Sequence, residues 1–508
     1  MPRTPKRRGP TARRCPGWRR WRWRSRAKAH WRPVMAELVK SRIHGDGVAV
    51  VMLAAPPANV MGPEMRAALH AAFLALGANG KVSAVVLLAE GPSFSSGTSL
   101  RDYATRPDRH DPTTLSALCR MIEDFPHPVV AGLHGFAMGA GAEVALAAHY
   151  RLIAPDTAIG LPEVGLGLTP RGGGTQRLPR LVGAGPALDI LLGGRAVRMQ
   201  SVGQPALYDG VVNGHLPSAA MAFAQNLISR GAGPRPTATR REGLLDGPGF
   251  LAAVADRRKA IAGSPLHAPP RIIDCVEAAL LLPLDAGLAF EAAAFDAAET
   301  DPQSHALRHI ALAERRLPKH LVTTEDGQQK LTEAGEAVTG RLRAALRAAV
   351  SLLAGRGVPK AQIDSAMLAY GFARSPHGGG DRNASGPVID EVQRRCIAAV
   401  MAEGARQVQA GHVARPADID ALAVIGMGFP RFRGGPMQGA TQMGLLSLMN
   451  EMEGWTQENR LWTVPPLMRE AVKYAGGFAA VPPQAFSAGS PRPQPPSAPE
   501  TTAGTPPD

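Results

Sequence analysis

Two glutamates in apolar, glycine-marked surroundings are the residues of this chain best suited to acid–base chemistry. Glu143 lies in a Gly-rich segment, 135–146, directly after the apolar run 128–133, and Glu163 follows 20 residues later, next to Pro162. A carboxylate is rarely placed among apolar residues unless it is paired, because desolvation raises its pKa and disfavours the charged form. The same shift suits a general acid or base. The two glutamates therefore predict a site that moves protons.

A purely structural interpretation of these glutamates stays open at this point. Each carboxylate could cap a helix or form an ion pair with an arginine such as Arg151 or Arg171. Either partner would stabilise a buried charge without any catalytic role.

The elements around the glutamates predict an α/β architecture. The run 48–53 is typical of a buried strand, 65–76 has helical spacing, and 82–88 is a second buried strand followed by a Gly-containing turn and the loop 94–98. This succession indicates an α/β layer whose site lies at the ends of its strands.

Several segments in order resemble a known family. They are Ala-Pro-Pro-Ala-Asn at 55–59, Phe-Ser-Ser-Gly-Thr at 94–98, the Gly-rich helix start before Glu143, and 160–168 running into 174–180. From about residue 43 to 213 the chain resembles the enoyl-CoA hydratase/isomerase (crotonase) family, with the strongest likeness to the hydratase part of the multifunctional fatty-acid oxidation enzymes. The resemblance implies a crotonase-like spiral of ββα units.

The resemblance also implies roles for individual residues. In that family two backbone N–H groups bind the acyl-thioester oxygen, which here would be those of Thr98 and Ala140, and two glutamates, here Glu143 and Glu163, hold the water that is added. Fixed N–H donors stabilise the enolate-like oxygen without reorganisation. Further substrate-binding residues are expected at Gly97, Arg101, Gly139, Gly141 and Pro162.

The implied reaction is the addition of water to trans-2-enoyl-CoA in fatty-acid β-oxidation. Two alternatives stay open: a Δ3,Δ2-enoyl-CoA isomerase, in which one glutamate shuttles a proton, and a catalytically weak scaffold subunit of a fatty-acid oxidation complex. Ala140 stands where the family usually has Gly, and Thr98-Ser99 where it has Ala-Asp. A Cβ at position 140 could crowd the thioester, which would reduce activity or shift the substrate range.

The same glycines partly imitate a dinucleotide-binding fingerprint. Gly139 and Gly141 lie between a strand and a helix, and Asp156 is an acid further on. However, Val144 occupies the third glycine position, where close helix–strand packing needs a residue without a side chain. We therefore expect no NAD site and no cofactor; the CoA thioester is the substrate.

The second half carries another resemblance. Segment 302–320 looks like the linker helix that follows the hydratase part of the multifunctional enzymes, but no Rossmann domain comes next. Instead a weak internal repeat appears, in which 357–364 is echoed by 417–420, each followed by Gly-Phe and Gly-Gly pairs. This resembles the duplicated, all-α C-terminal domain of 3-hydroxyacyl-CoA dehydrogenases. Since that family's Gly-Asn-Arg is replaced by Thr-Gly-Arg at 339–341, dehydrogenase activity is predicted to be absent.

These inferences predict five segments. They are a basic extension (1–34), a crotonase-like hydratase domain (35–300), a linker helix and loop (301–330), a helical dehydrogenase C-terminal-like domain (331–481) and a Pro-rich disordered tail (482–508).

The basic charge of the chain is concentrated at one end. The formal net charge is +15, but residues 1–34 contain thirteen Lys or Arg and no acidic residue, so the remainder is nearly neutral and we expect no nucleic-acid partner. We interpret Met35 as the translation start and 1–34 as a mis-assigned extension. A transit peptide or a basic arm that binds nucleic acid or membrane are the alternatives.

The cysteines and the hydropathy pattern bound the location. Cys15, Cys119, Cys275 and Cys396 are far apart, which favours a reducing compartment and no structural metal site. No apolar run approaches the length of about 20 residues that a spanning helix needs. We expect a cytoplasmic protein whose partner is an acyl-CoA substrate, with docking to a thiolase or self-association left open.

Overall fold

The structure is a computed structural model that describes residues 37–100, 102, 111–325 and 328–482. The predictions for the basic extension, for Arg101 and for the tail beyond residue 482 fall outside these residues. The chain divides into two units after Glu37, and all the elements below belong to the compact unit that begins at Leu38.

Continuous apolar runs form the main sheet. Strands such as Val-Ala-Val-Val-Met-Leu and Ala-Val-Val-Leu-Leu-Ala suit a parallel sheet that is covered on both faces. The strands expected at 48–53 and 82–88 are confirmed, the second with a shift of one or two residues. In spatial order the sheet contains β1 (Val39–Ile43), β2 (Val48–Leu53), β3 (Ala84–Ala89), β4 (Val129–Leu133), β6 (Tyr150–Ile153) and β9 (Gly210–Val211), with β1 antiparallel to β2 and the others parallel.

The chain also forms a second, smaller sheet of three strands. β5 (Phe136–Met138) pairs in parallel with β7 (Ala158–Gly160), and β8 (Val197–Arg198) pairs antiparallel with β7. Each of β4 and β6 is followed by a strand of this second sheet and then by a helical segment. The repeated strand–strand–helix order is a ββα spiral.

Helices cover the sheets and continue into an all-helical second half. The first group is α1 (Pro63–Gly77), α2 (Leu115–Glu123), α3 (Ala140–Ala147), α4 (Gly174–Val182), α5 (Ala184–Gly193), α6 (Leu216–Ser229), α7 (Gly247–Ala260), α8 (Ala268–Leu281) and α9 (Leu284–Glu299). The second group is α10 (Pro302–Arg316), α11 (Glu333–Gly355), α12 (Lys360–Tyr370), α13 (Pro387–Gln409), α14 (Pro416–Met427), α15 (Pro436–Gln442), α16 (Leu445–Thr456) and α17 (Pro466–Ala471).

The linker differs from its prediction in one respect. The expected helix is present as α10, but the expected loop after it forms a hairpin of β10 (Val322–Glu325) and β11 (Gln328–Leu331). The strands read Val-Thr-Thr-Glu and Gln-Gln-Lys-Leu, and only Val322 among these residues is buried. That polar composition lacks the apolar alternation typical of a strand, which is why the sequence predicts a loop there.

The internal repeat of the second half has a structural counterpart. In the first copy Asp364 on α12 accepts hydrogen bonds from the backbone N–H groups of His377 and Gly379, both 2.9 Å. In the second copy Asp420 on α14 accepts from the N–H of Met437, 2.7 Å. In each copy a buried aspartate thus fixes the glycine-containing segment that follows its own helix.

Four apolar clusters lie in the described part of the chain. The largest in the first half joins the sheets to α1–α5, α7 and α8, a second lies between the main sheet and α6, and a small third cluster contains Leu168, Phe295 and Ala298. The fourth is built from α10 to α17. No helix in the described ranges has both the length and the apolar character needed to cross a membrane.

Candidate active site

Two loops approach each other at the start of α3. Gly97 has a φ of +82°, and a Cβ added there would lie 2.6 Å from the carbonyl oxygen of Met138 and 3.5 Å from the nitrogen of Ala140. Only glycine permits this approach. Thr98 and Ala140 are therefore neighbours in space, as the resemblance implies. Among the described residues, neither the N–H of Thr98 nor that of Ala140 donates a hydrogen bond to another protein atom.

The loop that carries Thr98 is held by a buried polar network. The Asn59 side chain donates to the carbonyl oxygens of Glu90 (2.8 Å) and Ser93 (3.0 Å) and accepts from the N–H of Ala55 (3.0 Å). The Asn59 carbonyl accepts from the Ser95 hydroxyl at 2.7 Å. Buried polar groups that are all satisfied specify one geometry, so this network fixes the loop before any ligand binds.

The start of α3 fits closely against that loop. A Cβ on Gly141 would lie 2.5 Å from the Cβ of Ser95, so a larger residue there would push the helix away. Ala140 itself is only 1 % exposed and belongs to the apolar core. Its methyl group is covered by protein, and the crowding of a thioester expected from the sequence does not follow from this position.

Glu143 lies in the first turn of α3 and is 1 % exposed. Its Oε1 accepts hydrogen bonds from the N–H groups of Gly172 (2.7 Å) and Gly174 (2.9 Å). A Cβ on either glycine would lie 3.0 Å from the carboxylate, which explains the glycines of this loop. Burial raises the pKa of Glu143, while the two N–H donors and the nearby Arg171 oppose that rise.

Glu163 lies in a short 3-10 helix, 162–166, that begins at Pro162 and is 5 % exposed. Its Oε1 borders the other loop, since a Cβ on Gly139 would lie 2.8 Å from it. Its Oε2 has no hydrogen-bond partner among the described residues. Burial and, second, the charge of Glu143 raise the pKa of Glu163 to about 8. Glu163 is therefore suited to carry a proton at neutral pH.

The two glutamates thus differ in their preferred protonation state. Glu143 accepts two N–H donors, which stabilise the anion, whereas no described residue donates to the Oε2 of Glu163 to favour its ionisation. A pair whose environments separate its proton affinities provides a base and an acid in one site. The structural interpretation in which each glutamate pairs directly with an arginine does not describe these contacts.

The sequence did not single out Glu291, a third buried carboxylate on α9. It is 1 % exposed and accepts from the N–H groups of Gly173 (2.6 Å) and Thr175 (2.8 Å). Its helix is Ala-rich and carries no motif. The one local signal is a glutamate that directly follows Phe290 in an otherwise apolar stretch.

A buried ion pair supports the same region. Arg177 on α4 pairs with Glu123 on α2 at 2.8 Å, and both side chains are 1 % exposed. Arg177 also donates to the carbonyl oxygen of Gly172 at 2.6 Å. Within the part of the chain that the structure describes, no group of three or more His, Cys, Asp or Glu side chains could hold a metal ion, and Cys119, Cys275 and Cys396 are buried thiols.

This arrangement can add or move a proton next to a stabilised oxyanion. The N–H groups of the neighbouring residues Thr98 and Ala140 have no protein partner within the described ranges, and that of Ala140 lies at a helix start whose dipole favours negative charge. Glu163 borders this point and Glu143 lies on the first turn of the same helix. The same chemistry serves substrates that carry a carbonyl group and an acidic or electrophilic carbon beside it.

Comparison with known proteins gives a family match and a sequence relative. Residues 44–232 match the family model described as enoyl-CoA hydratase/isomerase. The chain is 33 % identical over 290 residues to a peroxisomal bifunctional enzyme from Danio rerio. The aligned segment covers 56 % of this chain and 38 % of the relative. The chain therefore spans well under half the length of that curated relative.

Solved structures of related proteins are also similar. An enoyl-CoA hydratase from Thermoplasma volcanium GSS1 is 23 % identical, covering 55 % of this chain and 98 % of its own, with a TM-score of 0.35. An enoyl-CoA hydratase/isomerase from Pseudoalteromonas atlantica T6c is 19 % identical, with 55 % and 98 % coverage and a TM-score of 0.40. Because these scores are below 0.5, the assignment depends on the family match and the sequence relative. Residues 44–232 are thus similar to the enoyl-CoA hydratase/isomerase family, and the chain resembles a bifunctional enzyme over 290 residues.

Proposed function

We propose that this protein is an enoyl-CoA hydratase that adds water across the double bond of trans-2-enoyl-CoA thioesters in fatty-acid oxidation. The observation that carries the proposal is the pair Glu143 and Glu163, which differ in preferred protonation state and lie beside two unpartnered N–H groups. An isomerase needs one proton shuttle, whereas hydration needs a base for water and an acid for carbon.

The reaction adds one water molecule to the substrate, with the water oxygen bonding to C3 and a proton bonding to C2. Glu143 accepts a proton from water as its oxygen bonds to C3 of the substrate, and the electron pair of the double bond moves onto the thioester oxygen. The N–H groups of Thr98 and Ala140 stabilise that oxyanion. Glu163 then donates its proton to C2, and the carbonyl re-forms. The proton on Glu143 returns to Glu163 through solvent, which restores the starting state.

Each loop of the site has a defined part in this scheme. Glycines at 97, 139 and 141 permit the close approach of backbone to thioester, and Pro162 starts the helix that presents Glu163. The acyl-CoA and water are the small molecules that the scheme requires, and no cofactor enters it. The absence of dehydrogenase activity stays a prediction, as does a cytoplasmic location, since the relative from Danio rerio is named as peroxisomal.

The helical second half has a structural role in this proposal. On α10 the Ser304 hydroxyl donates to the carbonyl oxygen of Leu166, 2.9 Å, at the end of the helix that carries Glu163. On the same helix His309 donates to Asp420 of α14, 2.8 Å. The second half therefore supports the helix of Glu163 through α10. Docking of a thiolase, or self-association, is a further role that the resemblance suggests.

A kinetic assay on residues 35–508 tests the proposal. The loss of conjugated thioester absorbance is followed with trans-2-enoyl-CoA, and the matched variants are Glu143→Gln and Glu163→Gln. We expect turnover by the parent and a fall of kcat by about 10²- to 10⁴-fold in each variant, the usual contribution of general acid–base catalysis. Conversion of 3-enoyl-CoA without any hydration would establish the isomerase. A folded parent that binds acyl-CoA and converts neither substrate would leave a scaffold subunit.

A further inference from the structure

The loop 172–175 lies between two buried carboxylates. Its backbone N–H groups alternate: those of Gly172 and Gly174 donate to Glu143, and those of Gly173 and Thr175 donate to Glu291. The loop opens α4, so the same N–H groups are the unpaired donors of a helix start, where negative charge is stabilised.

Glu291 is bound to the loop more extensively than Glu143 is. Besides the two N–H groups, its Oε2 accepts from the Thr175 hydroxyl at 2.5 Å, and that hydroxyl accepts from the Gln176 side chain at 3.0 Å. All three contacts to Glu291 are donors, so they favour its ionised form. A Cβ on Gly287, one turn earlier on α9, would lie 2.1 Å from Gln176, so α9 sits close against the loop.

We propose that Glu291 is a positioning residue of the active site, which fixes Glu143 by holding the opposite face of the 172–175 loop. Within this loop, Glu143 accepts from the N–H groups of residues 172 and 174, and Glu291 accepts from those of residues 173 and 175. A shift of that backbone by about 1 Å would move both hydrogen bonds of Glu143, and misplacements of about that size can cost up to about 100-fold in rate. Glu291 lies beyond residue 232, the end of the family match, so the chain after the matched segment completes the site.

The charge of Glu291 adds a second effect. Among the described residues, the titratable and charged groups that interact with it are Glu143 on α3, Glu163 in the 3-10 helix, Arg177 on α4, Cys119 on α2 and Cys275 on α8. Burial and, second, the charge of Glu143 raise the pKa of both Glu163 and Glu291 to about 8, so these two carboxyl groups lose their protons over the same pH range. As Glu291 ionises in that range, its negative charge opposes the ionisation of Glu163.

The test compares Glu291→Gln with Glu277→Gln. Glu277 lies on the neighbouring helix α8 and forms a more exposed ion pair with Arg258 of α7. Gln offers one acceptor oxygen and turns an NH2 group towards N–H or O–H donors, so the loop must move. We expect kcat to fall by up to about 100-fold with KM unchanged, because Glu291 does not touch the substrate. The control should behave as the parent.

Two readouts separate positioning from loss of folding. The rate should fall as pH rises through the pKa of Glu163, about 8, and this limb should move to lower pH in Glu291→Gln because a nearby negative charge is gone. Thr175→Val, which removes only the hydroxyl donor, should shift the limb in the same direction by less. If Glu291→Gln does not fold, Thr175→Val alone decides.

The inference rests on the proposed function for its kinetic readout, so a titration without substrate accompanies it. Carbon NMR of the Glu163 carboxyl, assigned with Glu163→Gln, should show a lower pKa in Glu291→Gln than in the parent. An unchanged titration together with an unchanged pH profile would overturn the inference. An inactive parent in which the titration still shifts would sink the hydratase and leave the electrostatic link between Glu291 and Glu163 standing.

Discussion

At the scale of single residues, the molecule maintains buried carboxyl groups at a cost to its stability. Glu143, Glu163 and Glu291 are each at most 5 % exposed, and burial raises the pKa of all three. A fold that minimised its free energy would not place three carboxyl groups in one cluster. Such a cost is expected where the groups perform chemistry.

Because of that cost, the difference in stability between the parent and Glu163→Gln should depend on pH. The pKa of Glu163 rises from 4.5 in the unfolded chain to about 8 in the folded protein, so the folded state binds a proton more tightly. Its contribution to stability is fully present below pH 4.5 and is lost as the pH rises through about 8. Glu163→Gln stays neutral, so its melting temperature should match that of the parent at low pH and exceed it near pH 8.

The measurement is a series of thermal melts across this pH range, with Glu277→Gln as the surface control. A melting-temperature difference that does not depend on pH would contradict the assigned proton affinity of Glu163. A variant less stable than the parent at every pH would show that the carboxyl contributes a hydrogen bond that outweighs its desolvation.

At the scale of elements, backbone approach sets the geometry of the site. The loop that carries Thr98 and the start of α3 can meet only because residue 97 has no side chain. The required φ of +82° adds strain for any other residue. The proposed oxyanion site therefore depends on two loop conformations and not on reactive side chains.

A single methyl group at residue 97 should separate these loops. In Gly97→Ala the added Cβ would lie 2.6 Å from a backbone oxygen, so the loops must part and at least one N–H donor leaves its position. Loss of one such donor costs about 10²- to 10³-fold in kcat. The matched control is Gly185→Ala on α5, where an added Cβ has no atom within 4 Å and φ is not positive.

Steady-state kinetics and a melting temperature for each variant separate the loss of an N–H donor from a loss of folding. Gly185→Ala should keep the activity of the parent. If Gly97→Ala also kept it while folded, the N–H group of Thr98 would have no part in oxyanion stabilisation.

The sequence predicted the elements that carry local signals and missed those that depend on distant contacts. Glu143 and Glu163 stand beside glycine or proline in apolar runs, and such patterns are visible within a few residues. Glu291 lies 116 to 118 positions from the donors it binds, in an Ala-rich helix, so no local pattern could reveal it. The polar β10–β11 hairpin was missed for a related reason, because its pairing and not its composition defines it.

At the scale of the whole molecule, α10 connects the site to the helical second half. Its Ser304 contacts the end of the 3-10 helix of Glu163, and its His309 contacts Asp420, which is 1 % exposed. Asp420 also caps the start of α15 through Met437. One carboxylate thus joins three helices of the second half, and one of them, α10, contacts the 3-10 helix of Glu163.

The internal repeat supplies a matched pair of variants for this connection. Asp420→Ala removes a buried acceptor and leaves unpaired donors, which should lower the free energy of unfolding by about 1–3 kcal/mol. Asp364→Ala removes the equivalent acceptor of the first copy, whose donors His377 and Gly379 lie in the segment after α12 and not on α10. We expect both to be destabilised, but only Asp420→Ala to lose amide hydrogen-exchange protection in α10.

Urea unfolding and hydrogen exchange measured by mass spectrometry check this expectation. Equal loss of α10 protection in the two variants would mean that α10 responds to general destabilisation of the helical half. Full protection of α10 in Asp420→Ala would mean that the His309 contact does not hold that helix.

The central claim is that Glu143 and Glu163 together add water to a 2-enoyl thioester. Its most direct test is mass spectrometry of the product formed from trans-2-enoyl-CoA in water labelled with heavy oxygen. We predict one solvent oxygen at C3 of a 3-hydroxyacyl-CoA product with the parent, and incorporation that is slower by about 10²- to 10⁴-fold with Glu143→Gln or Glu163→Gln. A folded parent that returns its substrate without solvent oxygen, or incorporation that persists at the parent's rate in both variants, would contradict the account.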